Sequence, residues 1–285
     1  MNREKYLELL DFSDHVVGFF SDIIKDCSDV KFVKNRKNDK NWMRNIYHDY
    51  LYYCFTKSCR SLLASVVLAK NGLREDSLII LRTVYENYLQ ISHVLNKPEK
   101  IQEYVFQTLG LEFKTYSIKE KNHRYNRNIV IDNETKKEYK HNTSTFAKAK
   151  ESINPIDEKL HVFIYNYLSE FTHPNMIASG NYRSNGGLNY SPFSEEFYLE
   201  VPFMIQYVSF IIFDAIYYYH SKISEWNVEE KTMEELLEYS LIKDEMKNSL
   251  LELIELVGFD NYNMELKNLL IERIKISYNM ENAKS

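Results

Sequence analysis

The chain has 285 residues, with 36 Lys and Arg against 41 Asp and Glu, a net charge of −5. Charged residues make up 27% and apolar ones 44%, which supports a packed core and excludes a disordered chain. With Gly 7 and Pro 5 against roughly 34 of the two expected at this length, hairpin-rich sandwiches, barrels and Gly-rich nucleotide folds are disfavoured.

Cys27, Cys54 and Cys59 form no CxxC pair and no disulfide framework, so the expected location is reduced and cytoplasmic. The N-terminal residues MNREKYLELLDFSDH are charged and amphipathic, unlike the apolar run of a secretory signal. Mild acidity argues against general duplex binding but leaves room for a local basic patch.

In chain order, residues 3–26 carry Leu7, Leu10, Val17, Phe20 and Ile24 at helical spacing. Residues 31–41 hold five positive charges and one negative and read as a solvated loop. Residues 42–70 form a long helix, and Gly72 suits its C-terminal end. A second long helix over about 75–95 opens on Glu75 and Asp76, which suit a helix N-terminus, and stops before Pro98. The short link makes these two an antiparallel hairpin. A third helix is expected over 99–120.

Residues 121–150 are polar and net basic, with a β-like run at Ile129–Ile131, and read as a small hairpin or excursion. Another helix begins near Pro155 and ends before Pro174. Residues 179–192 hold Gly180, Gly186 and Gly187 and form a loop. The most apolar stretch lies in 196–225. Its core, 201–219, is near the lower length limit for a membrane span. Pro202, Gln206 and Asp214 interrupt it, so a buried central helix is favoured and a membrane role disfavoured. Amphipathic helices over 229–257 and 262–279 close the chain. The expected fold class is an all-α, up-down helical bundle over 1–225, with a C-terminal helical extension, 226–285, packing on the bundle or on a partner.

Two polar stripes run along these helices. Arg82 and Glu86 are four residues apart, with Gln90 and His93 continuing that face among Leu78, Leu81, Val84, Tyr85, Tyr88 and Leu89. Residues at i and i+4 lie within about 40° of each other around a helix. A charge on such a helix must be paired. The pair either bolts helices together or lets Glu86 orient Arg82 toward an anionic group. Arg before Glu is the weaker order for helix stabilisation, which favours a role across helices. The second stripe is His161, Tyr165, Ser169 and His173, at every fourth residue beside Leu160, Ile164 and Leu168. His173 falls at a helix C-terminus, where the dipole favours the imidazolium. Asp214, on the most apolar helix, needs a partner, and Arg82 and His173 are the natural candidates; a tyrosine hydroxyl is the alternative.

The segments SLLASVVLAKNGLREDSLIILRTVYENY (61–88) and YNYLSEFTHPN (165–175) together resemble an uncharacterised family of prokaryotic helical proteins, a domain of unknown function, over roughly residues 45–220. That family resembles the HEPN class of helical bundles. The resemblance implies the bundle and, more distantly, RNase activity in phage-defence or toxin–antitoxin systems. HEPN RNases carry an Arg and a His with four to six residues between them. Here no Arg precedes His173 at that spacing. Arg44 and His48 have only three residues between them, and Arg124 and His141 are far apart.

No GxxxxGK[ST], GxGxxG, HExxH or GxSxG occurs, so no metal or cofactor is expected. The expected site is metal-independent. His173 acts as acid or base, Arg82 steadies phosphoryl charge, and Glu86 holds Arg82. Tyr165, Ser169 and Asp214 contribute to binding. Arg124 and Arg127 in the basic excursion follow an RNA backbone. The competing expectation is a non-catalytic module that meets a second copy or a partner protein through the C-terminal helices.

Overall fold

The computed structural model describes residues 2–26, 42–121, 123–172, 179, 182–184, 189–191, 193, 196–224, 231–258 and 264–277. The helices are α1 (Arg3–Asp26), α2 (Trp42–Lys70), α3 (Arg74–Asn96), α4 (Thr108–Glu112), α5 (Thr145–Lys150), α6 (Asp157–Ser169), α7 (Glu200–Ser224), α8 (Lys231–Val257) and α9 (Met264–Lys275). Among the described residues the chain is all-α apart from a three-stranded antiparallel sheet, β1 (Tyr116–Lys121), β2 (Arg124–Asp132) and β3 (Glu138–Lys140), and a two-rung ladder at Arg183–Ser184 and Asn189–Tyr190.

The α2–α3 hairpin forms as its turn residues dictate. Gly72 has φ +74°. Its N–H donates to the Ala69 carbonyl at 3.1 Å, and Leu73 N–H donates to Leu68 at 2.9 Å. This pair of bonds closes a helix end through a left-handed residue that glycine adopts without strain. Buried polar contacts then fix the register of the two helices. The Ser65 and Ser77 hydroxyls meet at 2.8 Å, and the Asn87 amide donates to the Cys54 carbonyl at 2.7 Å.

Helix α7 is the central element and packs on α1, α2, α3 and α8. Val201 to Ile216 are buried almost without interruption. Residues Glu200–Tyr219 are long and apolar enough to cross a membrane, yet 94% of that window is buried inside the protein. That is the pattern of a core helix covered by its neighbours on all sides. The C-terminal helices pack on the bundle. Met246, Leu250, Leu253 and Ile254 of α8 and Leu269, Leu270 and Ile274 of α9 join the core.

The expected helix over 99–120 is wrong beyond residue 112. A single 3₁₀ turn at Pro98–Lys100 leads into a π-helical turn at Gln102–Gln107, α4 ends at Glu112, and β1 occupies Tyr116–Lys121. The excursion is accordingly larger than the Ile129–Ile131 run. Ile118 pairs with Val130, and Val130 is fully buried beneath the sheet. Charged strand residues masked the period-2 pattern in the sequence. Gly110 lets β1 lie on α4, because a Cβ there would stand 2.2 Å from the Tyr116 ring. Helix α5, capped by Ser144, follows within the same excursion.

Candidate functional site

The two polar stripes meet. Arg82 of α3 donates from Nε to Glu86 Oε1 at 3.1 Å, from Nη1 to the Thr172 hydroxyl at 2.7 Å and from Nη2 to the Tyr165 hydroxyl at 2.8 Å. Its guanidinium also lies over the Tyr165 ring, 4.9 Å from the centroid. Thr172 in turn donates to the Ser169 carbonyl at 2.8 Å. One side chain thus ties α3 to the C-terminal end of α6. The Arg82 side chain keeps 21% of its surface accessible and Glu86 38%. Three of the five guanidinium N–H groups have partners among the described residues, which leaves two for an external acceptor.

The remaining stripe residues diverge from this point. His161 is buried beneath the site, with its ring 4.9 Å from that of Tyr165 and Nδ1 3.4 Å from the Tyr85 hydroxyl. Burial lowers its pKa, against a smaller pull from Asp157, so it is neutral near pH 7. Ser169 donates its hydroxyl to the Tyr165 carbonyl of its own helix. His173 lies outside the described residues, as do the basic stretch 31–40 and Cys27.

Further along α3, the Gln90 amide donates to the Tyr50 hydroxyl, and Lys148 of α5 donates to Gln90 Oε1 at 3.5 Å. Lys148 also lies 5.1 Å from the Tyr104 ring centroid. Burial lowers its pKa, and the charges of Glu103 and Glu86 oppose the shift. Gln90 stands one turn beyond Glu86, so Lys148 meets the same stripe of α3. Lys148 carried no signal in the sequence, where it read as one lysine among many in a basic excursion. At the end of the stripe, His93 is fully enclosed. Its Nδ1 meets the Tyr104 hydroxyl at 2.6 Å and Nε2 meets Glu151 Oε2 at 2.8 Å. The π-helical turn is what aims Tyr104 at it. Glu151 is pushed down to about 2, first by its hydrogen bond with Lys97 and then by His93.

Asp214 does not pair with Arg82; cations of the C-terminal helices meet its charge. Lys243 of α8 pairs with Asp214 Oδ1 at 2.6 Å and Arg273 of α9 with Oδ2 at 3.0 Å. Arg273 further donates from Nε to Asp157 at 2.9 Å and from Nη2 to the Tyr88 hydroxyl at 2.9 Å, and Tyr88 donates to Asp157 at 2.5 Å. Burial alone would raise the Asp214 carboxyl, but Lys243 and Arg273 override it and hold the group below its ordinary value. Two carboxylates and two cations, all buried, form a network that is closed to solvent. The partners were missed because Lys243 and Arg273 occupy positions that read as the wet face of amphipathic helices.

Arg124 and Arg127 are exposed on β2, and no hydrogen bond or ion pair joins either side chain to Arg82 among the described residues. His48 of the RNIYH segment meets the Tyr219 hydroxyl, and the Arg44 side chain lies outside the described residues. Among the described residues, no group of three or more His, Cys, Asp or Glu is placed to hold a metal ion.

Residues 48–188 match the model of DUF5677, a family of unknown function. The matched segment spans just under half of the chain. It contains Arg82, Glu86, Lys148, Tyr165 and Thr172, while Asp214, Lys243 and Arg273 lie beyond it. The match bears out the likeness to an uncharacterised family; it brings no activity with it and no link to the HEPN class. No curated protein and no solved structure matches the chain.

Proposed function

We propose that the α3–α6 face binds the phosphodiester backbone of single-stranded RNA, and that the chain is a metal-independent, RNase-like protein. The observation that carries this reading is the held but accessible Arg82 guanidinium. Glu86, Tyr165 and Thr172 fix its plane, so little side-chain entropy remains to be lost when an anion docks. Two N–H groups then match two phosphate oxygens.

In the proposed reaction a general base takes the proton of the ribose 2′-hydroxyl. The 2′-oxygen attacks the adjacent phosphorus, and the bond to the 5′-oxygen breaks as that oxygen gains a proton. Arg82 stabilises the extra negative charge on the pentacoordinate phosphorus. His173 is the proposed proton-transfer group, because it follows Thr172, which contacts Arg82 directly.

The test uses a 5′-labelled single-stranded RNA with wild type, Arg82→Lys and His173→Ala. The reading predicts binding and cleavage by wild type, weakened binding by Arg82→Lys, and binding without cleavage by His173→Ala. No binding by wild type overturns it. Binding with no cleavage by any form removes the catalytic part and leaves an RNA-binding module.

A second reading, a protein-interaction module, is favoured by Leu63 and Val67, which stand 46% and 50% exposed on the outer face of α2. A stable self-association lost in Leu63→Glu would support it.

A further inference from the structure

We infer that the outer face of α2 is the track along which this RNA extends from Arg82, with Tyr53 as a platform for one base. The inference rests on the RNA reading of the Arg82 site. Tyr53, Lys57 and Arg60 stand at i, i+4 and i+7, so they share one helix face. All three are exposed, and Tyr53 keeps 59% of its surface. Among the described residues, neither Lys57 nor Arg60 makes an ion pair or a side-chain hydrogen bond. The Tyr53 ring stands 6.4 Å from that of Tyr50, tilted by 42°, and most of its surface stays accessible.

The track is continuous with the Arg82 site. Tyr50, whose ring neighbours that of Tyr53, accepts from the Gln90 amide, and Gln90 Oε1 accepts from Lys148 of α5 at 3.5 Å. Gln90 stands one helical turn beyond Glu86, the partner of Arg82. These contacts lead from Tyr53 on α2 past Lys148 of α5 to Arg82 on α3, with Lys57 one turn beyond Tyr53. Arg60 shares the Lys57 face, and Glu86, already paired, is the anion within the track. Asp49, one turn before Tyr53, marks the end of the basic face.

A strip of cations with an exposed aromatic ring complements a single strand. Cations follow the phosphates, and the ring accepts a base of any sequence on its exposed surface. A duplex keeps its bases stacked on each other and offers Tyr53 nothing. A protein partner of this site would have to be acidic, and that is an outcome of the test.

The test is fluorescence anisotropy with a labelled ten-nucleotide oligouridylate, for wild type, Tyr53→Ala, Lys57→Ala and Arg82→Lys. Both α2 residues are exposed, so folding is unaffected. The expected result is a loss of at least about fivefold in affinity for Tyr53→Ala, with an unchanged salt dependence. Lys57→Ala should lower affinity and also flatten the slope of log K against log salt by about 0.7. Wild-type affinity in both α2 variants, with Arg82→Lys impaired, overturns the track and leaves the Arg82 reading intact. Loss in the α2 variants with Arg82→Lys unimpaired overturns the Arg82 reading, and with it the extension of the track from Arg82. No binding by wild type removes both and turns the search to an acidic protein partner.

Discussion

Arg82 and Arg273 have nearly the same neighbours and opposite meanings. Each guanidinium contacts a carboxylate, and each reaches a tyrosine hydroxyl on another helix. The Arg273 side chain has 0% of its surface accessible, with Asp157 at 3% and Asp214 at 2%. Arg82 keeps 21% and Glu86 38%. Where water is excluded, charges must be balanced inside the protein, and four of them lock α3, α6, α7, α8 and α9 to one another. Where water reaches, the same chemistry leaves a cation with N–H groups to offer. Exposure, and not residue type, separates scaffold from site.

The largest effect should follow from Arg273→Ala. Asp157 would then lose its paired cation while Asp214 keeps Lys243, and stability should fall by about 3–5 kcal/mol, because truncating one partner leaves a charge uncompensated. Urea denaturation measures it, and a loss below about 1 kcal/mol would place the network in contact with water after all.

Acid should come next. His93, His141 and His161 are each held below the ordinary histidine value, chiefly by burial. A group whose pKa is lower in the folded state binds protons more readily when unfolded. Its contribution is complete above about 6.5, the unfolded value, and is lost as pH falls below it. Thermal midpoints should therefore start to drop between pH 7 and 5, before the carboxylates titrate. His93→Gln should flatten that decline, and an unchanged profile would mean that His93 is solvated.

Arg82→Ala should do least to the fold. The pair is exposed enough for solvent to screen it, so the loss should stay near or below about 1 kcal/mol. A loss comparable to that of Arg273→Ala would reclassify Arg82 as scaffold.

The contrast also explains what the sequence could reveal. Arg82 and Glu86 were readable because i and i+4 positions coincide on any helix. Their meeting with Tyr165 was not readable, because spacing along one helix does not say which helix lies against it, and Thr172 carried no pattern at all. The helices α1, α2, α3 and α7 follow from their apolar spacing. The sheet did not, because Lys119, Lys121, Arg124 and Arg127 break its alternation. Asp214 announced its need for a partner but not its address, since contacts between distant helices leave no local spacing. Arg273 was hardest to recognise, in the last turn of α9, where a cation ordinarily just caps the helix.

The most direct measurement is a paired one on Arg82→Lys: its thermal midpoint and its affinity for labelled single-stranded RNA, both against wild type. The account predicts a midpoint within about 2 °C of wild type, as for a surface pair, with affinity at least about tenfold weaker, because a lysine cannot keep the guanidinium fork. An affinity equal to that of wild type would contradict it and leave Arg82 as one more bolt between helices.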